Sequence, residues 1–165
     1  MNNDTATILL IDDHPLLRKG LIQLIALEDS LDVIGEADSG IIGIELAKEL
    51  DPDLIILDLN MHGLDGLETL RIMRAEGVTS RIIMLTVSDN DEDVIQAISF
   101  GADGYLLKDM DPVLILEKIK QAVNGEMVIS DKLAAILAKA IRKPDASQKA
   151  LLLKSLTTRE FEILK

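Results

Sequence analysis

Asp12-Asp13, Asp58, Thr86 and Lys108 are the residues whose types could do chemistry together, because each stands where an apolar run ends. "ILLID" closes in a carboxylate pair. "DLIILDLNMHG" carries four aliphatic residues into Asp58, "RIIMLT" ends in the Thr86 hydroxyl, and "ADGYLL" runs on to the Lys108 ammonium. A carboxylate at the end of a buried strand is expensive to desolvate unless something uses its charge. Carboxylates this close raise one another's pKa unless a cation joins them. Oxygen donors with no thiolate suit Mg²⁺, which takes one or two carboxylates and keeps its other positions for water and phosphate oxygens. A lysine supplies a point charge for a phosphate, and a threonine hydroxyl can donate to a phosphoryl oxygen. The set describes an acidic acceptor whose negative charge is about to increase, with Asp58 placed to form an aspartyl phosphate. Aspartates also cap ordinary loops at strand ends, so the weight lies in five groups sharing one rim.

That rim requires a particular scaffold. Strands are expected at Ile8–Asp12, Asp32–Ala37, Asp53–Asp58, Arg81–Thr86 and Ala102–Leu107. Helical patterns alternate with them. Pro15–Glu28 sets Leu17, Leu21, Leu24 and Ile25 on one face, with Pro15 fitting the first turn. "GIIGIELAKEL", "GLETLRIMRAEG" and "DEDVIQAISFG" follow, the last two closing on Gly77 and Gly101. The fifth helix begins at Asp111-Pro112 and stops at Asn124-Gly125. The fold class is therefore α/β, a (βα)5 doubly wound parallel five-stranded sheet of the flavodoxin-like kind. Such sheets bind ligands beyond the carboxyl ends of their strands, where strand order reverses.

Composition fits one domain and an appendage. The 165 residues are 48% hydrophobic but only 2% aromatic, so the core is aliphatic, and no cysteine is present for disulfides or thiolate zinc sites. Met1 is followed by no basic leader, and no apolar run approaches ~20 residues, so a cytoplasmic protein without a membrane span is expected. The net charge of −12 is unevenly spread. Residues 139–165 hold seven basic and three acidic residues, a net of +4, leaving ten basic and 26 acidic in residues 1–138, a net of −16. The change of sign accompanies a change of pattern. Ser130–Lys143 reads as an amphipathic helix, Pro144–Ser155 as a linker, and "LTTREFEILK" as a helix start with Thr157 and Glu160 in a capping box.

"LLIDDHPLLRKG", "DLIILDLNMHGLDGLETL", "IIMLTVSD" and "GADGYLLKD" resemble the receiver domain of bacterial two-component response regulators. "LTTREFEILK" resembles the opening of a LuxR-type helix-turn-helix domain, which identifies the chain as similar to the NarL/FixJ family. "DLNM", "GLETL", "EDV", "ADGYLLKDMDP" and "GEMVIS" resemble its nitrate/nitrite regulators more than its other branches. The resemblance implies a receiver over 1–127, a linker over 128–155 and a truncated DNA-binding domain start over 156–165. It implies that Asp58 takes phosphate from a sensor histidine kinase. Mg²⁺ would be held by Asp13, Asp58 and the Asn60 carbonyl, with Asp12 acting through water. Thr86 and Lys108 would hold the phosphoryl oxygens, and Tyr105 would be the aromatic switch that follows Thr86. It also implies DNA binding through the complete C-terminal domain and a homodimer on phosphorylation. The chain departs from the pattern at His62, where the family often has proline, and at Asp109, where a proline commonly follows the lysine.

Rival readings remain distinguishable. An aspartyl-phosphate phosphatase expects an acid two places after its nucleophile, where this chain has Asn60, which counts against that reading; the resemblance implies no enzyme, only a receiver that assists its own phosphoryl transfer and dephosphorylation. A dinucleotide site expects a glycine-rich turn after the first strand, and "DDHPLL" has none. A stand-alone receiver acting through protein binding is the stronger rival. His14 and His62, in unlike loops, are expected as surface residues rather than metal ligands. The Asp89–Asp93 acidic run complements a helix N-terminus. The stripe Leu133, Ile136, Leu137 and Ala140 calls for a partner surface. Residues 1–165 alone are not expected to read DNA, which needs a second helix in the major groove.

Overall fold

The computed structural model describes residues 5–142; the linker from Pro144 and the helix-turn-helix start at 156–165 lie outside them. Strands β1 (Ala6–Ile11), β2 (Leu31–Ala37), β3 (Leu54–Leu57), β4 (Arg81–Thr86), β5 (Gly104–Leu107) and β6 (Val128–Ile129) form one sheet in the order β2-β1-β3-β4-β5-β6. All pairings are parallel. Helices α1 (Pro15–Ile25), α2 (Gly40–Leu50), α3 (Gly66–Ala75), α4 (Asp91–Ser99) and α5 (Pro112–Val123) alternate with the strands, and α6 (Asp131–Arg142) follows β6.

Strand side chains alternate between the two faces of a sheet. Ile8, Leu10, Leu54, Ile56, Ile83 and Leu85 accordingly meet Ile25 of α1 and Ile115 and Ile119 of α5 on one side. On the other, Leu9, Ile11, Ile55, Leu57, Met84 and Tyr105 meet α2, α3 and α4. The expected five-stranded sheet is thus extended by a sixth strand. β6 is only two residues long, too short to show a period, and it lies against β5 because Gly104 has no side chain: a Cβ there would fall 2.5 Å from the Val128 carbonyl oxygen.

Helix faces give one further departure and one agreement. Of the expected α1 face only Ile25 is buried, while Leu17 is 51% exposed, beside Leu16 at 83%. The apolar stripe of α6 does find its surface: Leu133 is fully buried, and Ile136, Leu137 and Ala140 pack on the same core as α4. Helix ends follow their sequence signals. Asp111 caps α5 through the Val113 amide, and Gly77 and Gly101 take positive φ just past α3 and α4.

Candidate functional site

The chain runs β1, β2, β3, yet β1 lies between β2 and β3, so the connections diverge between β1 and β3. Their carboxyl ends therefore open onto one crevice. Ile11 pairs with Leu57, which sets Asp12 beside Asp58, both buried. The loop after β3 is held by a close approach: the Gly66 amide donates to the Leu59 carbonyl at 2.8 Å, and a Cβ on Gly66 would lie 2.2 Å from the Asp58 carbonyl oxygen. No larger residue fits there without moving Asp58.

Lys108, following β5, crosses to this crevice. Its Nζ donates to Asp12 Oδ2 at 2.8 Å and to Asp58 Oδ2 at 3.0 Å. With Asp109 where a proline commonly stands, the lysine reaches both carboxylates. Asp58 Oδ1 accepts from the Asn60 amide at 3.2 Å. Asp13 Oδ2 accepts from the His62 amide and meets the His62 ring nitrogen, each at 2.8 Å. Burial pushes the Asp13 carboxyl up, but the His62 amide and ring, with His14 close by, outweigh it and hold the pKa below its ordinary value. Asp13 Oδ1 is buried and accepts no hydrogen bond from the described residues.

His14 is exposed, as expected of a surface residue, and its ring also lies against the carboxylate cluster. Its ring is half exposed, yet Nδ1 lies 2.9 Å from Asp12 Oδ1, 3.3 Å from Asp13 Oδ1 and 3.4 Å from Asp58 Oδ2. Asp12, Asp13, His14 and Asp58 each offer a ligand atom within 4.8 Å of the others. The signal was available in the sequence: a residue before proline is driven to extended backbone. His14, at φ −99° and ψ 100°, precedes Pro15 at the start of α1. His62 behaves as expected, its side chain fully exposed.

Thr86 is buried at the end of β4, and its Oγ1 accepts from Asn60 Nδ2 at 3.2 Å and from the Ser88 amide at 3.4 Å. Ser88 continues the path, its Oγ donating to Asp93 at 2.7 Å and its carbonyl accepting from the Tyr105 hydroxyl at 2.9 Å. Burial, with the negative charge of Asp93, Asp89 and Asp58 nearby, pushes the Tyr105 phenol up to about 12. Asp89, in the same loop, pairs with Lys132 of α6 at 2.7 Å. The site residues named from sequence are thus gathered at one rim, and Tyr105 connects to Thr86 through Ser88, which sequence reasoning did not single out.

The donor set fits a divalent cation. Three carboxylates and one ammonium leave two negative charges, and one buried carboxylate oxygen has no hydrogen-bond donor among the described residues. The three carboxylates are hard oxygen donors, and no thiolate is among the candidate ligands.

Residues 8–120 match the model of the response regulator receiver domain. The nitrate/nitrite response regulator protein NarL of Escherichia coli K12 is 51% identical over 164 residues, covering 99% of this chain and 76% of that protein. The nitrate/nitrite response regulator protein NarP of the same organism is 50% identical over 125 residues, 76% of this chain and 58% of that one. Among solved structures, the signal receiver domain of a response regulator NarL from Mycobacterium tuberculosis superposes with a TM-score of 0.72 at 33% identity, over 75% of this chain and all of that one. Among the described residues no helix is long and apolar enough to cross a membrane. By this match and these relatives, the chain belongs to the response regulator receiver family and is a two-component response regulator of the NarL type.

Proposed function

We propose that Asp58 is the phosphoacceptor, taking a phosphoryl group from the phosphohistidine of a sensor kinase. The observation that carries this reading is the Lys108 ammonium held between Asp12 and Asp58 at the carboxyl end of the sheet. One Asp58 carboxylate oxygen attacks phosphorus, a P–O bond forms as the donor's P–N bond breaks, and the released imidazole nitrogen takes a proton from solvent. Asp13, Asp58 and the Asn60 carbonyl would hold Mg²⁺, with Asp12 acting through water, and the bound ion would supply positive charge beside the phosphoryl oxygens. Lys108 can transfer its contact from the carboxylates to the new phosphoryl group. Thr86 can donate its hydroxyl to the same group.

Drawing Thr86 inward strains its contact with the Ser88 amide, and Ser88 holds both Tyr105 and Asp93. The modification thereby biases the loop and helix on which α6 is docked. The attached C-terminal domain would bind DNA, with a homodimer formed on phosphorylation, and would control nitrate/nitrite-responsive genes as in the relatives. The chain acts in the cytoplasm and catalyses nothing beyond its own phosphorylation and dephosphorylation. A groove beside Asp12 and Lys108, lined by Leu16, Leu17, Leu21 and Leu24 of α1 and Ile115 of α5, offers the kinase an apolar surface next to the acceptor. Its exposed leucines favour this over a merely irregular α1 packing.

Phosphotransfer from purified, radiolabelled sensor kinases tests the reading. One kinase is expected to label the chain quickly and Asp58→Asn not at all, the variant keeping its circular dichroism spectrum. Equal labelling of Asp58→Asn would remove Asp58 from the role.

A further inference from the structure

We propose that His14 completes a site for a borderline divalent transition metal at the same carboxylates, so that Zn²⁺ binds through an imidazole–metal bond and more tightly than Mg²⁺. The inference rests on the reading that this crevice takes a divalent cation, and adds a ligand and a selectivity to it. A ring N–H serves one acceptor well. His14 Nδ1 nevertheless faces three carboxylate oxygens, at 2.9, 3.3 and 3.4 Å, on Asp12, Asp13 and Asp58. Metal–ligand bonds of about 2.0–2.2 Å put neighbouring ligands of a tetrahedral or octahedral ion about 2.8–3.6 Å apart. The nitrogen therefore already stands at ligand-edge distances from all three oxygens. One of them, Asp13 Oδ1, is buried and accepts no hydrogen bond from the described residues, so a ring proton directed at Asp12 leaves it unsatisfied.

Charge and donor type select the ion. The three carboxylates and Lys108 leave two negative charges for a dication, and a neutral imidazole adds a nitrogen donor without changing that balance. Mg²⁺ gains little from nitrogen, whereas imidazole suits Zn²⁺ and its neighbours. Competing sites are few, since the whole chain has two histidines and no cysteine. His62 is the natural control: its ring meets Asp13 Oδ2 at 2.8 Å but its side chain is fully exposed and it stands outside the four-residue cluster.

The test is calorimetric titration of the metal-free chain with Zn²⁺ alone and Mg²⁺ alone at slightly alkaline pH, with ¹⁵N spectra of the two histidine rings. Wild type is expected to bind Zn²⁺ more tightly than Mg²⁺, with the His14 Nδ1 resonance moving to the metal-bound range. His14→Ala and His14→Gln should weaken Zn²⁺ by more than roughly tenfold, the low end of what even outer-shell partners contribute. Their Mg²⁺ affinity should change much less, and His62→Ala should leave Zn²⁺ affinity near that of wild type. Zn²⁺ and Mg²⁺ binding that both survive His14 substitution, or a wild-type His14 Nδ1 resonance unmoved by bound Zn²⁺, would overturn the inference and leave the acidic site intact. Binding of neither ion, or binding indifferent to Asp13→Asn, would overturn the cation site and the inference together.

Discussion

Lys108 sits 2.8 Å from Asp12 and 3.0 Å from Asp58, an ammonium already where a phosphoryl group would need one. The neighbouring Thr86–Ser88–Tyr105 path is linked by hydrogen bonds, which can exchange partners. Tyr105 reports on it directly, being the sole tyrosine in a chain without tryptophan. Its phenol is raised from 10.0 to about 12. Below pH 10 the folded and unfolded states both keep the proton, so its contribution to stability is fully present. Between pH 10 and about 12 the unfolded chain ionises while the folded one does not, and stability falls through that window. Tyrosinate absorbance should therefore show a midpoint well above 10 while circular dichroism still reports native structure. A native-state midpoint near 10 would place Tyr105 in water. Asp58, Asp13, Lys108 and Thr86 were legible in the sequence because each ends an apolar run. The approach of the His14 ring to the three carboxylates was not legible, because two histidines in different loops carry no spacing signal and its direction depends on the extended backbone before Pro15.

Glycines separate what the elements require from what they tolerate. A Cβ on Gly66 would meet backbone atoms of Asp58 and Leu59 at 2.2 and 2.5 Å, which cannot rotate away. Gly66→Ala should cost about 1–3 kcal/mol by chemical denaturation, the range for overpacking, and slow phosphorylation by shifting Asp58. Gly20, on the exposed side of α1, has nothing within 4 Å. Gly20→Ala should instead stabilise by roughly 0.5–1 kcal/mol, the helical penalty of glycine. Opposite signs are the check, and destabilisation at both positions would contradict it. Helix α6 has its own test. Leu133 is fully buried while Lys132 and Asp89 pair on the surface, so packing should hold the helix more than the ion pair does. Leu133→Asp is expected to strip amide-exchange protection from α6 while the sheet keeps its own, and Lys132→Ala to change little. Unchanged protection in Leu133→Asp would mean α6 is not anchored there. The five principal strands and six helices were legible from periodicity and capping residues. β6 was not, because two residues carry no period, and the open face of α1 was not, because exposed leucines read the same as buried ones.

At the scale of the molecule, strand order does what no local pattern can. Placing β1 between β2 and β3 turns residues some 45 positions apart into neighbours, and parallel pairing sends both their carboxylates to one rim. The α/β class and the crossover rule were readable from alternating patterns, while the docking of α6 depends on a tertiary surface no single segment encodes. The uneven charge, −16 over residues 1–138 against +4 beyond, fits an acidic regulatory body rather than one that attracts nucleic acid by itself. The central claim is that this rim makes Asp58 a Mg²⁺-dependent phosphoacceptor. Intact-mass spectrometry of the chain incubated with acetyl phosphate, with and without Mg²⁺, followed by reductive trapping and peptide mapping, tests it most directly. The account expects a single added phosphoryl group, dependent on Mg²⁺, mapped to Asp58 and absent from Asp58→Asn. A phosphoryl group mapped to another residue, or equal incorporation without the metal, would contradict it.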